Sequence, residues 1–185
     1  MGRDKLLLEV GGVPLLRRVR DAVSARCAEM FVVGQGGGAE RLEGVRPILD
    51  ERPGRLGPLA GMEAGLAAAR NRLVFVAAGD MPFVPVDLIG YLLERLEERG
   101  VSAVVPWHRG ATHPLCAAYD REILPHLRAA LDGGVRSVRE FLEGVEQVEY
   151  IDEELRRFGD PDLFLMNVNS PEDLDRARAS CEGSP

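Results

Sequence analysis

Cysteine is scarce in this chain, lysine is nearly absent, and no apolar stretch reaches the length a bilayer requires. The three cysteines, Cys27, Cys116 and Cys181, are odd in number, far apart and free of any CxxC or Cys/His ligand spacing. That pattern excludes a disulfide framework and a structural zinc site, and it fits reduced thiols in a cytoplasmic protein. A secretory leader would need a charged segment followed by an apolar one, and a spanning helix about eighteen apolar residues; neither is read here. Net positive charge is missing too. The formal charge is −7 and the pI about 5.1, which argues against a nucleic-acid partner, and no local basic patch offsets it. The pairs Arg17-Arg18 and Arg156-Arg157 sit among acids and read as solvated helix faces.

What is present is a chain of 185 residues, 45% hydrophobic, enough for one globular core. Of its 23 basic residues a single one, Lys5, is lysine. A compact ammonium differs from a planar guanidinium where one phosphate oxygen must be touched in a crowded site. The scarcity is therefore either functional or the chance survival of one lysine on a surface turn.

Apolar runs alternate with amphipathic stretches. Residues 13–27 place Leu16, Val19, Val23 and Cys27 on one helical face, and 30–34 and 45–49 read as short strands. Residues 57–70 form an Ala-rich helix with Pro58 in its first turn. Residues 72–80 are a nearly continuous apolar run, as in a strand buried on both faces, and 86–100 a helix stopped by glycine. Strands are expected at 101–107, 113–119, 145–151 and 163–169, and helices at 120–131 and 137–144. A last helix over 170–180 has Ser170 as cap, Pro171 at its first position and Asp173 in its first turn. With no repeat or linker, this alternation predicts one α/β domain whose mostly parallel sheet is covered on both faces.

Ligands of open α/β sheets bind beyond the carboxyl ends of the strands. That rule selects Asp80, after the most apolar run, and also Asp50, Gly34, Asn167 and Asn169. Asp80 can hold a hard cation such as Mg²⁺ or simply cap the loop before the next helix. Asp50 can serve a turn, and the two asparagines can be strand-end turn residues. GPLAG at 57–61 lets backbone approach a ligand closely, though glycine is common at helix starts. GQGGG at 34–38 lacks the Lys-Ser/Thr of a Walker loop and reads as a flexible loop. His113, ahead of Pro114, reads more readily as a turn residue than as a base, because no nucleophile accompanies it.

Taken together, MGRDKLLLEVGGVPLL, GPLAGM, AGDMPFVPVDL, HPLCAAY and MNVNSPEDL resemble, in order and spacing, the molybdenum cofactor guanylyltransferases. The likeness runs from residue 1 to about residue 178. It implies a single-domain, three-layer α/β/α nucleotidyltransferase fold, Rossmann-like, over residues 1–185. It also implies transfer of GMP from GTP to molybdopterin with Mg²⁺ as cofactor. On this resemblance Lys5 contacts phosphate and Asp80 binds the metal and the nucleotide phosphates. Asp50, Gly57, Leu59 and Gly61 lie near the nucleoside, and Asn167, Asn169 and His113 on the pterin side or at a second metal. Partners would be GTP, molybdopterin and the proteins of cofactor synthesis and insertion, with the chain a monomer or weak oligomer.

Relatives carry an apolar strand and a Leu-Ala-Gly-Gly loop directly before the motif that starts here at Met1, so the true start is expected upstream. A molybdopterin cytidylyltransferase shares Gly-Asp-x-Pro. Against it stand Asp4-Lys5 where such enzymes tend to show Asn-Lys, and Asn167-Val168-Asn169-Ser170-Pro171 where they tend to show Asp-x-Asp-Thr-Pro. Sugar-1-phosphate nucleotidyltransferases usually carry longer insertions. A non-catalytic binding remnant is the reading from a different class.

Overall fold

The computed structural model describes residues 7–34, 42–49, 52 and 57–182. Lys5, Asp50 and residues 35–38 of the glycine-rich loop lie outside the described residues. The chain opens with a hairpin, β1 (Glu9–Val10) and β2 (Val13–Pro14), turned by Gly11 and Gly12 at φ 58° and 72°. Both angles fall in the left-handed region that glycine enters without strain. Helix α1 (Leu15–Ser24) follows, with Leu15, Leu16 and Val19 buried.

Next come the parallel pair β3 (Phe31–Val33) and β4 (Arg46–Ile48), helix α2 (Pro58–Ala68) and strand β5 (Leu73–Ala77). Helix α3 (Val86–Arg99) ends at Gly100 in the left-handed conformation (φ 61°), which is the glycine stop read in the sequence. Then follow β6 (Ala103–His108), β7 (Ala111–Thr112), β8 (Cys116–Asp120), α4 (Leu124–Asp132), α5 (Val138–Glu143) and β9 (Val148–Ile151). Helices α6 (Pro161–Phe164) and α7 (Pro171–Glu182) close the chain.

The fold class is α/β as expected, with β3 parallel to β4 and with β5, β6 and β9 running one way, while β8 and the short β7 are reversed. Strand β8 runs antiparallel between β5 and β6, while β9 lies parallel to β6, giving the order β5-β8-β6-β9 with β7 hairpinned on β6. The physical reason is connection length. Between His108 and Cys116 there is room for a tight return but not for the dozen or more residues of a parallel crossover. It follows that β5, β6 and β9 point the same way and end at one edge of the sheet.

Two apolar clusters sandwich this sheet. Leu59, Leu66, Val105, Tyr119, Leu127 and Phe141 pack on one face, and Leu88, Leu92, Leu96, Val104, Cys116 and Ile151 on the other. This follows from the alternation of a pleated strand, which sends Val104 and Val105 to opposite sides.

Strand β5 departs from the sequence reading. It is half-buried along its length rather than covered on both faces. Among the described residues no ladder joins β5 to β3, and the two are separated by a slot of about 830 Å³. Apolar side chains line it, among them Phe31, Val33, Met62, Leu66, Val74 and Val76.

Residues 163–169 also depart, since they form no strand. Asp160 accepts from the Asp162 N–H at 3.0 Å and caps a single helical turn led by Pro161, which consumes Leu163 and Phe164. Residues 165–169 then run on without a ladder partner among the described residues.

Candidate functional site

Asp80 stands three residues beyond the end of β5. Only 6% of it is accessible, and among the described residues it is the charged residue that the fold buries. The Met81 N–H donates to the Ala78 carbonyl at 3.3 Å, so the chain turns sharply around Asp80 instead of running out into solvent. Its place at the end of β5 is where ligands of open α/β sheets bind.

The Asp80 carbonyl accepts from the Val168 N–H at 2.9 Å. Val168 is itself fully buried, in a cluster with Val10, Leu15, Met166 and Leu174. That one bond carries Asn167 and Asn169, distant in sequence, to the side of Asp80.

Asn169 is fixed from its other flank by a reciprocal cap. The Asp173 carboxylate accepts from the Asn169 N–H (3.0 Å) and the Ser170 N–H (2.9 Å), and Ser170 Oγ accepts from the Asp173 N–H (3.1 Å). This is a capping box with Asp in the acidic position. The Asn169 and Ser170 N–H groups hold the Asp173 carboxyl below its ordinary value. A lowered carboxyl contributes stability that is fully present above about pH 4 and fades as pH falls through the depressed value. Asp173→Ala is therefore expected to cost about 1 kcal/mol in urea unfolding at pH 7, and less in acid.

His113 reaches the same edge. Its N–H donates to the Pro106 carbonyl at 2.8 Å, and the Ala78 N–H donates to the Leu115 carbonyl at 2.7 Å, which ties the turn after β7 to the end of β5. Tyr119 secures that turn from below through its buried hydroxyl, which donates to the Pro114 carbonyl at 2.7 Å. Burial first, then the charges of Arg139 and His108, push the His113 imidazole below its usual pKa, so it is neutral at pH 7.

The 57–61 segment behaves differently at each position. Gly57 has φ 77°, and a Cβ there would meet the Arg136 carbonyl oxygen at 3.3 Å, so only glycine fits without strain. Among the described residues no side chain caps α2, and the N–H groups of its first turn are placed to meet an anion or carbonyl. Leu59 is fully buried in the core, so any nucleotide contact there runs through its backbone. A Cβ on Gly61 would lie 3.8 Å from Val33, on the face of α2 packed against β3. On the outer side of α2, Glu63 accepts from Arg52 and Arg128; the hydrogen bond from Arg52, ahead of the others, keeps its carboxyl ionised below the usual range.

The structure thus gathers Asp80, Asn167, Asn169 and His113 along one sheet edge and places 57–61 where α2 begins, beyond the C-terminal end of β4. Sequence reasoning passed over Trp107, His108 and Asp162 near the same edge. His108 Nε2 lies 2.9 Å from the Asp162 carboxylate, a contact across 54 residues that no local pattern announces. A lone tryptophan beside His-Arg-Gly was the available signal. Among the described residues no group of three or more His, Cys, Asp or Glu side chains could hold a metal by itself, and no helix is long and apolar enough to cross a membrane. The three cysteines are free, with burial pushing the Cys116 thiol up to about 12.

Comparison with known proteins shows the family and the fold. A solved structure from Archaeoglobus fulgidus, molybdopterin-guanine dinucleotide biosynthesis protein A, superposes with a TM-score of 0.84 at 29% identity, over 99% of this chain and 93% of that one. The 2-C-methyl-D-erythritol 4-phosphate cytidylyltransferase of Thermus thermophilus, at 21% identity and TM-score 0.72 over 96% and 94% of the two chains, shares the fold. A Pelotomaculum thermopropionicum protein named probable molybdenum cofactor guanylyltransferase is 36% identical over 100% of this chain and 88% of its own length. One of the same name from Methanosarcina mazei is 31% identical over 93% and 81%. The model of the MobA-like NTP transferase domain matches residues 1–149, and the chain belongs to that family.

Proposed function

We propose that this protein transfers GMP from GTP to molybdopterin, forming the guanine dinucleotide form of the molybdenum cofactor and releasing pyrophosphate. Membership of the family supports the reaction class, and so do relatives named for that activity at 31–36% identity. The observation that carries the site is the buried Asp80 beside Asn167 and Asn169, at the end of β5. The Thermus thermophilus neighbour of this fold is named a cytidylyltransferase. Against a molybdopterin cytidylyltransferase stand Asp4-Lys5 and Asn167-Val168-Asn169-Ser170-Pro171, which support GTP.

In the reaction, a terminal phosphate oxygen of molybdopterin attacks the α-phosphorus of GTP. The bond to the bridging oxygen of the β-phosphate breaks, and pyrophosphate departs. The protein's contribution is alignment and neutralisation of charge rather than covalent chemistry. Asp80 supplies one buried carboxylate. That fits Mg²⁺, which takes one or two carboxylates and completes its shell with waters and substrate phosphates. Bound there with Asp80, and with the amide oxygens of Asn167 or Asn169 nearby, the ion would lower the charge repulsion between the two phosphate groups. The N–H groups at the start of α2 would hold the nucleotide through backbone contacts, with Asp50 beside the nucleoside, and Lys5 would meet phosphate. The chain acts as a single domain in the cytoplasm, where its free thiols stay reduced.

The test is transfer of label from α-³²P-GTP or α-³²P-CTP to molybdopterin, with and without Mg²⁺. Label transfer from GTP in preference to CTP, and dependent on Mg²⁺, is the expected result. Equal or greater use of CTP would overturn the base assignment, and no transfer from either would overturn the reading.

A further inference from the structure

An open cleft of about 530 Å³ lies beyond the C-terminal ends of β6 and β9, lined by Trp107, His108, Arg109, Asp152, Arg156 and Asp162 among others. Its volume suits a small ligand. Trp107 is 40% exposed and offers a flat aromatic face to the cleft. The wall beside it is rigid. The hairpin from β6 to β7 pairs His108 with Ala111 across a two-residue turn, Arg109 at φ 50° and Gly110 at φ 77°. Among the described residues Arg109 is the one non-glycine residue in that left-handed region, a conformation retained only where the surroundings enforce it. Asp162 does the enforcing: one oxygen meets His108 Nε2 at 2.9 Å, and the other is ion-paired with the Arg109 guanidinium.

Two charged groups in the cleft are uncommitted. Among the described residues, neither the Asp152 carboxylate nor the Arg156 guanidinium has a side-chain hydrogen bond or ion pair. An aromatic face, a carboxylate and a guanidinium together suit a flat heterocycle with an amidine-like edge. The carboxylate accepts two parallel N–H bonds, the guanidinium donates to a ring carbonyl, and the indole covers the face.

Position decides what that heterocycle is attached to. Strands β5 and β6 are parallel with β8 between them, so their ends, which carry Asp80 and Trp107, share one edge of the sheet, the two strands lying about 10 Å apart by two strand spacings. A molecule that presents its phosphate at Asp80 and its ring over Trp107 spans that interval.

We infer that this cleft takes the pterin ring of the acceptor, with Trp107 stacking on it, Asp152 accepting from its 2-amino and ring N–H groups, and Arg156 donating to its carbonyl oxygen. The assignment rests on molybdopterin being the acceptor. Guanine carries a similar amidine edge, so the test must separate the two rings.

Trp107 is the only tryptophan of the sequence, and its emission therefore reports on this cleft alone. The full chain is titrated with 6-hydroxymethylpterin and, separately, with GTP, following tryptophan fluorescence. Saturable quenching by the pterin is expected. It should weaken on the order of tenfold in Asp152→Asn, by loss of one charge-assisted bond pair, and also in the exposed variant Arg156→Gln, with thermal midpoints showing that both remain folded. Excess GTP should leave the quenching unchanged. Absence of quenching, quenching indifferent to both variants, or displacement of the pterin by GTP would each overturn the assignment. Label transfer from GTP is read independently. Its failure with quenching intact would sink the transferase reading and leave a pterin cleft, whereas failed quenching with transfer intact would sink only this cleft.

Discussion

Replacing Asp80 with asparagine is expected to lower GMP transfer by roughly 10²–10³-fold, the scale seen when one preorganised electrostatic contact to a reacting centre is removed. The substitution keeps shape and volume, so the turn that closes from Met81 N–H to the Ala78 carbonyl should persist. The bond from Val168 N–H should persist as well, because it ends on the Asp80 backbone and not on its side chain. The urea midpoint should therefore move little while the rate falls, and the two measurements separate a catalytic carboxylate from a structural one. The loss should also carry a signature in metal dependence. In the native protein the rate rises with Mg²⁺ and saturates, whereas the variant should need far more ion or fail to respond. An unchanged rate in Asp80→Asn would remove the metal assignment. A rate lost in proportion to the folded fraction would make Asp80 a structural residue.

Leu92→Ala should produce the opposite pattern. Leu92 is fully buried in the middle of α3, in the cluster that includes Leu88, Leu96, Val104 and Cys116 on one face of the sheet. Truncation removes transfer free energy and leaves a cavity in a close-packed layer, about 2–5 kcal/mol in all. For a protein of this size that shifts the thermal midpoint on the order of 10 °C, a large part of a total stability of roughly 5–15 kcal/mol. Leu92 touches neither the Asp80 turn nor the 167–170 segment through any hydrogen bond, so transfer per folded molecule at 20 °C should stay close to native. A midpoint within about 1 °C of native would mean that this layer is not the core the burial indicates.

Several local features were legible in the chain because each is decided within a few residues. Gly100 stops α3 because a left-handed C-cap favours glycine, and Ser170, Pro171 and Asp173 start α7 because a cap, a fixed φ and a first-turn acid act over one turn. Asp80 was selected by its place after an apolar run, and the structure leaves it there, buried. Leu59, by contrast, was picked out as a motif residue, and its side chain belongs to the core.

Strand direction and the assembly of the site were decided only by tertiary structure. Strands of either direction share a period of two, so the apolar pattern of 113–119 is silent on the antiparallel placement of β8 between β5 and β6; only the short return from β6 hints at it. Residues 163–169 look strand-like because they are apolar. They become a helical turn and an unpaired segment because Asp160 caps the turn and the Asp80 carbonyl takes the Val168 N–H. The Trp107 cleft depends on Asp162 meeting His108 across 54 residues. Sequence by itself determined the stop of α3 at Gly100, the start of α7 at Ser170-Pro171 and which carboxylate sits at a strand end, since propensity and capping are short-range. Which elements lie side by side, and therefore which distant side chains share one edge of the sheet, was decided by hydrogen-bond ladders and burial that form only when the whole chain packs.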